Sequence, residues 1–482
     1  MISSGASIRL LFVTALILGA TVSYAQTSAT FVSSAPGQNP PAGNGTNTFS
    51  GSVPTKLVAG RMPLSLENAI DLGLKHNLGL LLSQADTRAA RGQRWQELSA
   101  LLPQVTAAPY VAVSKLNLDE LGFSGVASVF HISTSIGPFS YFDARAAVSQ
   151  TLFDWKSINN ARAAGENVKS VDYTLRDARD LVILTVGYVY FLAVADEARI
   201  ATDEAQVETA QALFNQATDQ VDAGTAADID ALRTKVELQT RQQQLIQAKN
   251  DFAIQKIAIA RAIGLATSQD FDLTDKSPYQ PLDGLTVDEV LTRAYASRSD
   301  YRAAESAVRA ADLSRKAAVA GYFPSLAFGA DYGTAGTHPS DSGRVYDVRG
   351  TLSVPLFTGN SVHGDIQQAD ARLEQSRERL ENLRAQVEAD VRTALLNLQS
   401  YADQVKVARS NIDLADQTLT QSRDRFSSGV TDSVEVVQSQ EAVASAHEQF
   451  ISSLYNYNFA KISLIRALGA GAQGVKEYFP GK

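Results

Sequence analysis

Six apolar residues, Val391, Leu398, Val405, Ile412, Leu419 and Phe426, stand at a seven-residue step. Small residues follow three positions later at Ala394, Ala408, Ala415 and Ser422, with Tyr401 the exception, so the stripe reads as the narrow contact line of a long packed helix. The ladder recurs 205 residues earlier, at Val186, Ala193, Ile200, Val207, Phe214 and Val221. A lone ladder would indicate a rod or a coiled-coil dimer. Two copies indicate one helical plan used twice in the same chain.

The plan extends beyond the ladders. Asp154 to Asp222 contains no proline, and a helix of that length reaches roughly 100 Å at about 1.5 Å per residue. Asp222-Ala223-Gly224-Thr225 has the composition of a C-cap turn, and a second helical pattern returns through Ile229, Leu232, Val236, Ile246 and Ile257 to Gly264. The spacing therefore predicts an antiparallel pair of long helices. Upstream, Ser65 is placed to cap a helix with Leu66, Ala69, Ile70, Leu74 and Leu78 on one face, which Pro103 ends. A period of two follows at Val105, Ala107, Val111 and Val113, and again at Phe142, Ala144, Ala146 and Val148 after the Gly/Ser-rich loop Leu116 to Gly137.

The second half repeats this order. Thr286 with Glu289 forms a capping-box pattern where Ser65 stood, Pro324 answers Pro103, and strands alternate through Leu326 to Tyr332 and Tyr346 to Val354. Gly429 answers Gly224, and Arg466-Ala467-Leu468-Gly469 answers Arg261-Ala262-Ile263-Gly264. The predicted organisation is a signal peptide over 1–25, a disordered leader over 26–63 and a first repeat over 64–269, with a β-hairpin at 103–152 and a helical hairpin at 154–264. A linker over 270–284 leads to a second repeat over 285–469, with a β-hairpin at 324–357 and a helical hairpin at 359–469. A tail over 470–482 follows.

Targeting rests on Arg9, the apolar run Leu10 to Ala20, and Ser23-Tyr24-Ala25 before Gln26, the arrangement of a signal peptide with its cleavage site. The chain has no cysteine, which excludes disulfides and a lipidated cysteine. A net charge of −8, with no basic cluster interleaved with aromatics, argues against a nucleic-acid partner. The uncharged run Leu181 to Ala195 is shorter than the roughly 20 residues a membrane helix needs and is predicted to pack. Catalytic motifs are lacking. His76, His131, His338, His363 and His447 are dispersed, and neither HExxH, GxSxG nor a phosphate loop occurs. No cofactor and no metal site is predicted.

Four alternating strands in an exported chain pose a problem of closure, because open strand edges cannot sit in hydrocarbon and bacterial barrels need at least about eight strands. Two copies would give a barrel filled by its own side chains, so three copies are the fewest that leave a lumen. Phe139, Tyr141, Phe142, Tyr332 and Tyr346 are candidate interfacial aromatics.

The duplicated order, with Ser149-Gln150-Thr151-Leu152-Phe153-Asp154 and Ser353-Val354-Pro355-Leu356-Phe357-Thr358 at the strand-to-helix joints and Phe426-Ser427-Ser428-Gly429-Val430-Thr431-Asp432 at the second tip, resembles the TolC family of outer-membrane efflux proteins. The resemblance spans Leu64 to Gly469. It implies a mainly α fold with a membrane β-barrel portion: a homotrimer forming a 12-stranded barrel on a long α-helical periplasmic tunnel. The implied role is a passive exit duct for efflux or type I secretion. Its implied partners are a periplasmic adaptor, an inner-membrane RND or ABC transporter, and outer-membrane lipid.

Carried over by position, the resemblance puts the acidic ring of the periplasmic aperture at Glu435 and its second acid at Gln438, a departure. The first-half acid falls on Asp230, the aperture aromatic on Phe426, and the basic partner on Thr431, a second departure. Asp432 joins this set, and the adaptor-docking tips fall at Gly224-Thr225 and Gly429-Val430. Three Glu435 carboxylates converging on an axis would repel one another and attract cations. On the residues alone, Asp228, Asp230, Asp432 and Glu435 are also explained as first-turn acids that cap and solvate helix starts. The rival for the whole chain is a periplasmic coiled coil or tether without a pore, which leaves four strands without a purpose.

Overall fold

The computed structural model describes residues 48–56, 60–117, 135–275, 279–282 and 284–479. The predicted signal peptide, most of the leader and the centre of the first hairpin's loop lie outside these residues. In the first repeat, α1 (Leu66–His76) and α2 (Leu78–Ser99) lead into strands β2 (Gln104–Ala107), β3 (Tyr110–Asn117) and β4 (Ser135–Phe153). The long helices α3 (Trp155–Asp222) and α4 (Asp228–Ile263) follow. The second repeat runs α5 (Val287–Ser297), α6 (Ser299–Val319), β6 (Ser325–Gly336), β7 (Ser342–Ser353), α7 (Ser361–Ser427) and α8 (Ser433–Leu468).

Local chemistry sets the boundaries of the long helices. Asp154 starts α3 by accepting the amides of Lys156 at 3.1 Å and Ser157 at 3.2 Å. Gly224 (φ 71°) and Gly429 (φ 69°) end the outgoing helices in the left-handed region, where a side chain is strained. The 68 residues of α3 and the 67 of α7 are unbroken. Towards the tips the helices lie side by side in the order α4, α3, α8, α7, and towards the sheet in the order α2, α3, α6, α7.

The ladder on α7 is buried at every rung. On α3 only Val186 and Ala193 are buried, and Ala210, Leu213 and Ala217 take the buried side farther down. The cause is position in the row. Towards the tip α7 packs on one neighbour, α8, and shows one stripe, whereas α3 lies between α4 and α8 and divides its apolar surface between them. The main core lies at mid-height, where the apolar run from Val182 to Ala195 packs with Ile259, Ile263, Val391, Tyr457 and Ile462. This stretch is interior helix surface.

All four predicted strand segments pair in one antiparallel sheet, in which β2 and β3 share one side of β4 and the order continues β4, β6, β7. The strands are longer than their alternation suggests, since β3 reaches Asn117 and β4 begins at Ser135 inside the predicted loop. The ladder hydrogen bonds hold them there, and those carry no side-chain period.

Three segments without periodicity turn out to be ordered. The described end of the leader forms a 3-10 turn at Thr48–Ser50 and strand β1 at Met62–Leu64. Strand β1 pairs in parallel with β5 (Phe271–Leu273) from the predicted linker. Leu64 and Phe271 are both buried, so non-local contacts anchor what local composition leaves open. Past Gly469, α9 (Gly471–Tyr478) packs Val475 and Tyr478 into the core. At the start of α5, the Thr286 hydroxyl donates to Glu289 Oε2 at 2.8 Å and caps no amide, so a side-chain contact stands in place of the predicted capping box.

Candidate functional sites: the polar sheet face and the helical tips

The sheet divides its side chains by chemistry. Val105, Val148, Ala330, Val348, Phe328, Leu352, Tyr332 and Tyr346 fall on one face by register and alternation. Several are widely exposed, with Val105 at 69 %, Tyr346 at 76 % and Leu352 at 66 %. The opposite face carries charge. Asp143 accepts from Arg145 Nε at 2.9 Å and from the Tyr141 hydroxyl at 2.9 Å, while Arg145 Nη1 reaches Asp331 at 3.4 Å. Beside them Arg349 meets Asp347 at 3.4 Å. Asp143-Ala144-Arg145 in the first repeat and Asp347-Val348-Arg349 in the second share one alternation. Their period of two already placed both charges on one face.

At the opposite end, the two helical tips are built alike. Beside Gly224, the Thr225 amide and hydroxyl both donate to Gln220 O, at 2.8 and 3.0 Å. At Gly429 the Val430 amide donates to Arg425 O at 2.9 Å, and Val430 itself is 66 % exposed. Asp432 accepts the Val434 amide at 3.2 Å and starts α8. Its role here is a helix cap, and its side of the helix is exposed. The two hairpins are tied across their starts by Ser433, buried on α8, whose hydroxyl donates to Asp230 Oδ1 at 2.7 Å.

Glu435 is held from three sides. Thr431 Oγ1 donates to it at 2.6 Å, Ser422 Oγ lies at 3.4 Å, and Arg425 Nε forms an ion pair at 3.3 Å. Position-by-position transfer put the basic partner at Thr431. In the fold the cation comes from Arg425, ten residues upstream on α7, and Thr431 supplies a hydroxyl instead. Glu435 therefore has a counter-charge within the chain. Gln438 is exposed.

Phe426 is 4 % exposed and packs with Leu213, Ala217, Leu419, Val436 and Val443. Its ring fills the seam where α3, α7 and α8 meet. Among the described residues no group of three or more metal-ligating side chains comes together.

The family model for outer membrane efflux proteins matches residues 69–265 and 290–470. The probable efflux pump outer membrane protein SepC of Pseudomonas putida is 23% identical over 416 residues, covering 84% of this chain and 83% of its own. The alkaline protease secretion protein AprF of Pseudomonas aeruginosa is 22% identical over 320 residues, 64% of this chain and 66% of that one. In fold, the CmeC outer membrane channel of Campylobacter jejuni superposes with a TM-score of 0.74 at 16% identity, over 92% of this chain and 97% of that one.

Proposed function

The chain belongs to the outer membrane efflux protein family, and from that premise we propose that three copies close their sheets into one 12-stranded barrel continued by a periplasmic tunnel of helices. As an outer-membrane efflux protein it is a duct and not a catalyst. The observation that carries the trimer is the sheet itself: two edges, β2/β3 and β7, that pair with no further strand among the described residues, one apolar face and one charged face. Unpaired backbone is excluded from lipid, so the edges must meet those of other copies. Strands β6 and β7 each have 12 residues, enough for the roughly 9–11 that a tilted strand needs to cross a bilayer.

The row of helices supports the same reading. Its two outer members carry exposed apolar residues, Leu232, Val236, Ile246 and Ile257 on α4 and Leu396, Val407 and Leu414 on α7. Placed edge to edge, α4 of one copy covers α7 of the next. The charged sheet face then lines the lumen, and Asp143, Arg145, Asp331, Asp347 and Arg349 make the path polar for cargo in water. The tips at Gly224-Thr225 and Gly429-Val430 dock a periplasmic adaptor that links the duct to an inner-membrane RND or ABC transporter. Around the aperture, the Glu435–Arg425 pair together with Asp230–Ser433 fastens each protomer's tip, and cation attraction there is weak because the charge is already paired.

Solubilised full-length protein is expected to run as a trimer on unheated detergent gels and to conduct ions in planar bilayers. Because the chain lacks cysteine, a pair introduced on β3 and β7 reports only itself, and it should crosslink between copies. A monomer that is soluble after lysis without detergent, with no conductance, would overturn the duct in favour of a tether.

A further inference from the structure

Helix α9 and the residue after it cover two ionisable side chains that have no hydrogen-bond or ion-pair partner among the described residues. On α3, Asp180 is 8 % exposed and makes neither a hydrogen bond nor an ion pair there. A Cβ added at Gly471, the first residue of α9, would lie 3.1 Å from its Oδ1, so the start of the helix sits against the carboxyl group. On α8, Lys461 is 2 % exposed, with its ammonium 4.3 Å from the Phe479 ring and 6.0 Å from that of Tyr457. No carboxylate pairs with it. The corresponding lysine of the first repeat, Lys256, does have one, Asp270 at 2.7 Å.

None of the charges around Asp180 forms an ion pair with it among the described residues. Asp177 on the same helix and Asp300 on α6 oppose its ionisation, and Arg466 on α8 and Arg298 at the α5–α6 joint favour it. Both arginines are already engaged, Arg298 by Asp300 at 2.6 Å and Asp390 at 2.8 Å, and Arg466 by Asp177 at 2.6 Å. From α9 the group that meets Asp180 is backbone at Gly471. For Lys461, burial disfavours the charged form. The covering segment is fastened by Phe479 against Phe191 with ring centres 5.2 Å apart, and by the ion pair of Lys476 with Glu67 at 2.8 Å.

We infer that α9 and Phe479 form a clasp that opens most readily at neutral pH, because closing it buries Asp180 and Lys461 without an ion-pair partner for either. A buried ion without an ion-pair partner recovers only part of the hydration it loses, and opening restores water to both groups. Burial lifts Asp180 from 3.8 to about 6 and lowers Lys461 from 10.5 to about 8. For the acid, the closed state holds the proton more tightly, so closure is favoured at low pH and that advantage disappears as pH rises through about 6. For the lysine, the closed state sheds its proton more readily, so closure recovers as pH rises above about 8. Between those values both groups are charged and the clasp is weakest. Since α9 touches α1, α3 and α8, its opening loosens the contacts among these three helices.

Hydrogen exchange of the α9 peptide in the full-length, detergent-solubilised protein tests this from pH 4.5 to 10, with intrinsic rates corrected. The opening constant should rise by up to about tenfold per pH unit towards pH 6, level off, and fall by up to about tenfold per unit above pH 8. Asp180→Asn should flatten only the acid limb and Lys461→Met only the alkaline one. A level wild-type profile overturns the clasp, as does either limb surviving the variant meant to remove it. Should a variant fail to fold, the wild-type profile decides alone.

Discussion

Replacing Phe426 separates packing from pore lining at the tip. The ring fills a small cluster with Leu213, Ala217, Leu419, Val436 and Val443, separate from the main core at mid-height. Truncating a buried phenylalanine to alanine costs about 3–5 kcal/mol. Here the loss falls on local opening, because the mid-height core is untouched. At about 1.4 kcal/mol per tenfold change, Phe426→Ala should speed exchange or cleavage of the chain between Leu419 and Val436 by about 100-fold or more. Exchange at mid-height positions such as Val186 and Ile462 should stay unchanged. Phe426→Leu discriminates the roles: it keeps most of the apolar volume and should cost under about 1.5 kcal/mol, with tip exchange and closed-state leakage close to wild type. If Phe426→Leu leaks as much as Phe426→Ala while tip exchange stays normal, the ring acts as an aperture aromatic and the packing argument is wrong.

Arg425→Gln removes the counter-charge of Glu435, so cation selectivity of the bilayer current should rise, and adding Glu435→Gln should bring it back; unchanged selectivity in the single variant would separate this pair from the aperture. On the sheet, Val348→Lys places a charge on the apolar face and should cost about 2–4 kcal/mol in the membrane, read as loss of heat-resistant trimer, whereas Thr351→Lys on the charged face should alter conductance and leave assembly intact. Asp180→Asn should stabilise the protein by about 2–3 kcal/mol at pH 8, from a shift of two pH units, and by little at pH 4, where the native carboxyl is already neutral. Thermal melts at the two values check that sign. Gly429→Val forces a branched side chain into φ 69° at a cost of about 1–2 kcal/mol, and should fray the second tip, seen as faster proteolysis there.

Periodicity and punctuation carried a great deal. The seven-residue ladder on α7, the glycines at 224, 264, 429 and 469 and the prolines at 103 and 324 mark elements that depend on local geometry, and local geometry is written in neighbouring residues. The order of these signals, repeated, was enough to indicate the fold class and the family. Segments held by distant partners were illegible by the same logic: β1 exists because β5 lies beside it, and α9 because Val475 and Tyr478 find the core.

The tips show the same division at the level of single side chains. From the sequence alone, Gly429 could be placed at a turn and Asp432 and Glu435 in the first turn of a helix, since those positions follow from spacing. Only the tertiary structure decided that Arg425 neutralises Glu435 across the turn, that Ser433 ties Asp230 of the other hairpin, and that Phe426 faces a three-helix seam. Each of these depends on how far one helix has rotated against another. A heptad leaves that angle open, because a helix with one neighbour and a helix with two can carry the same stripe and bury different parts of it.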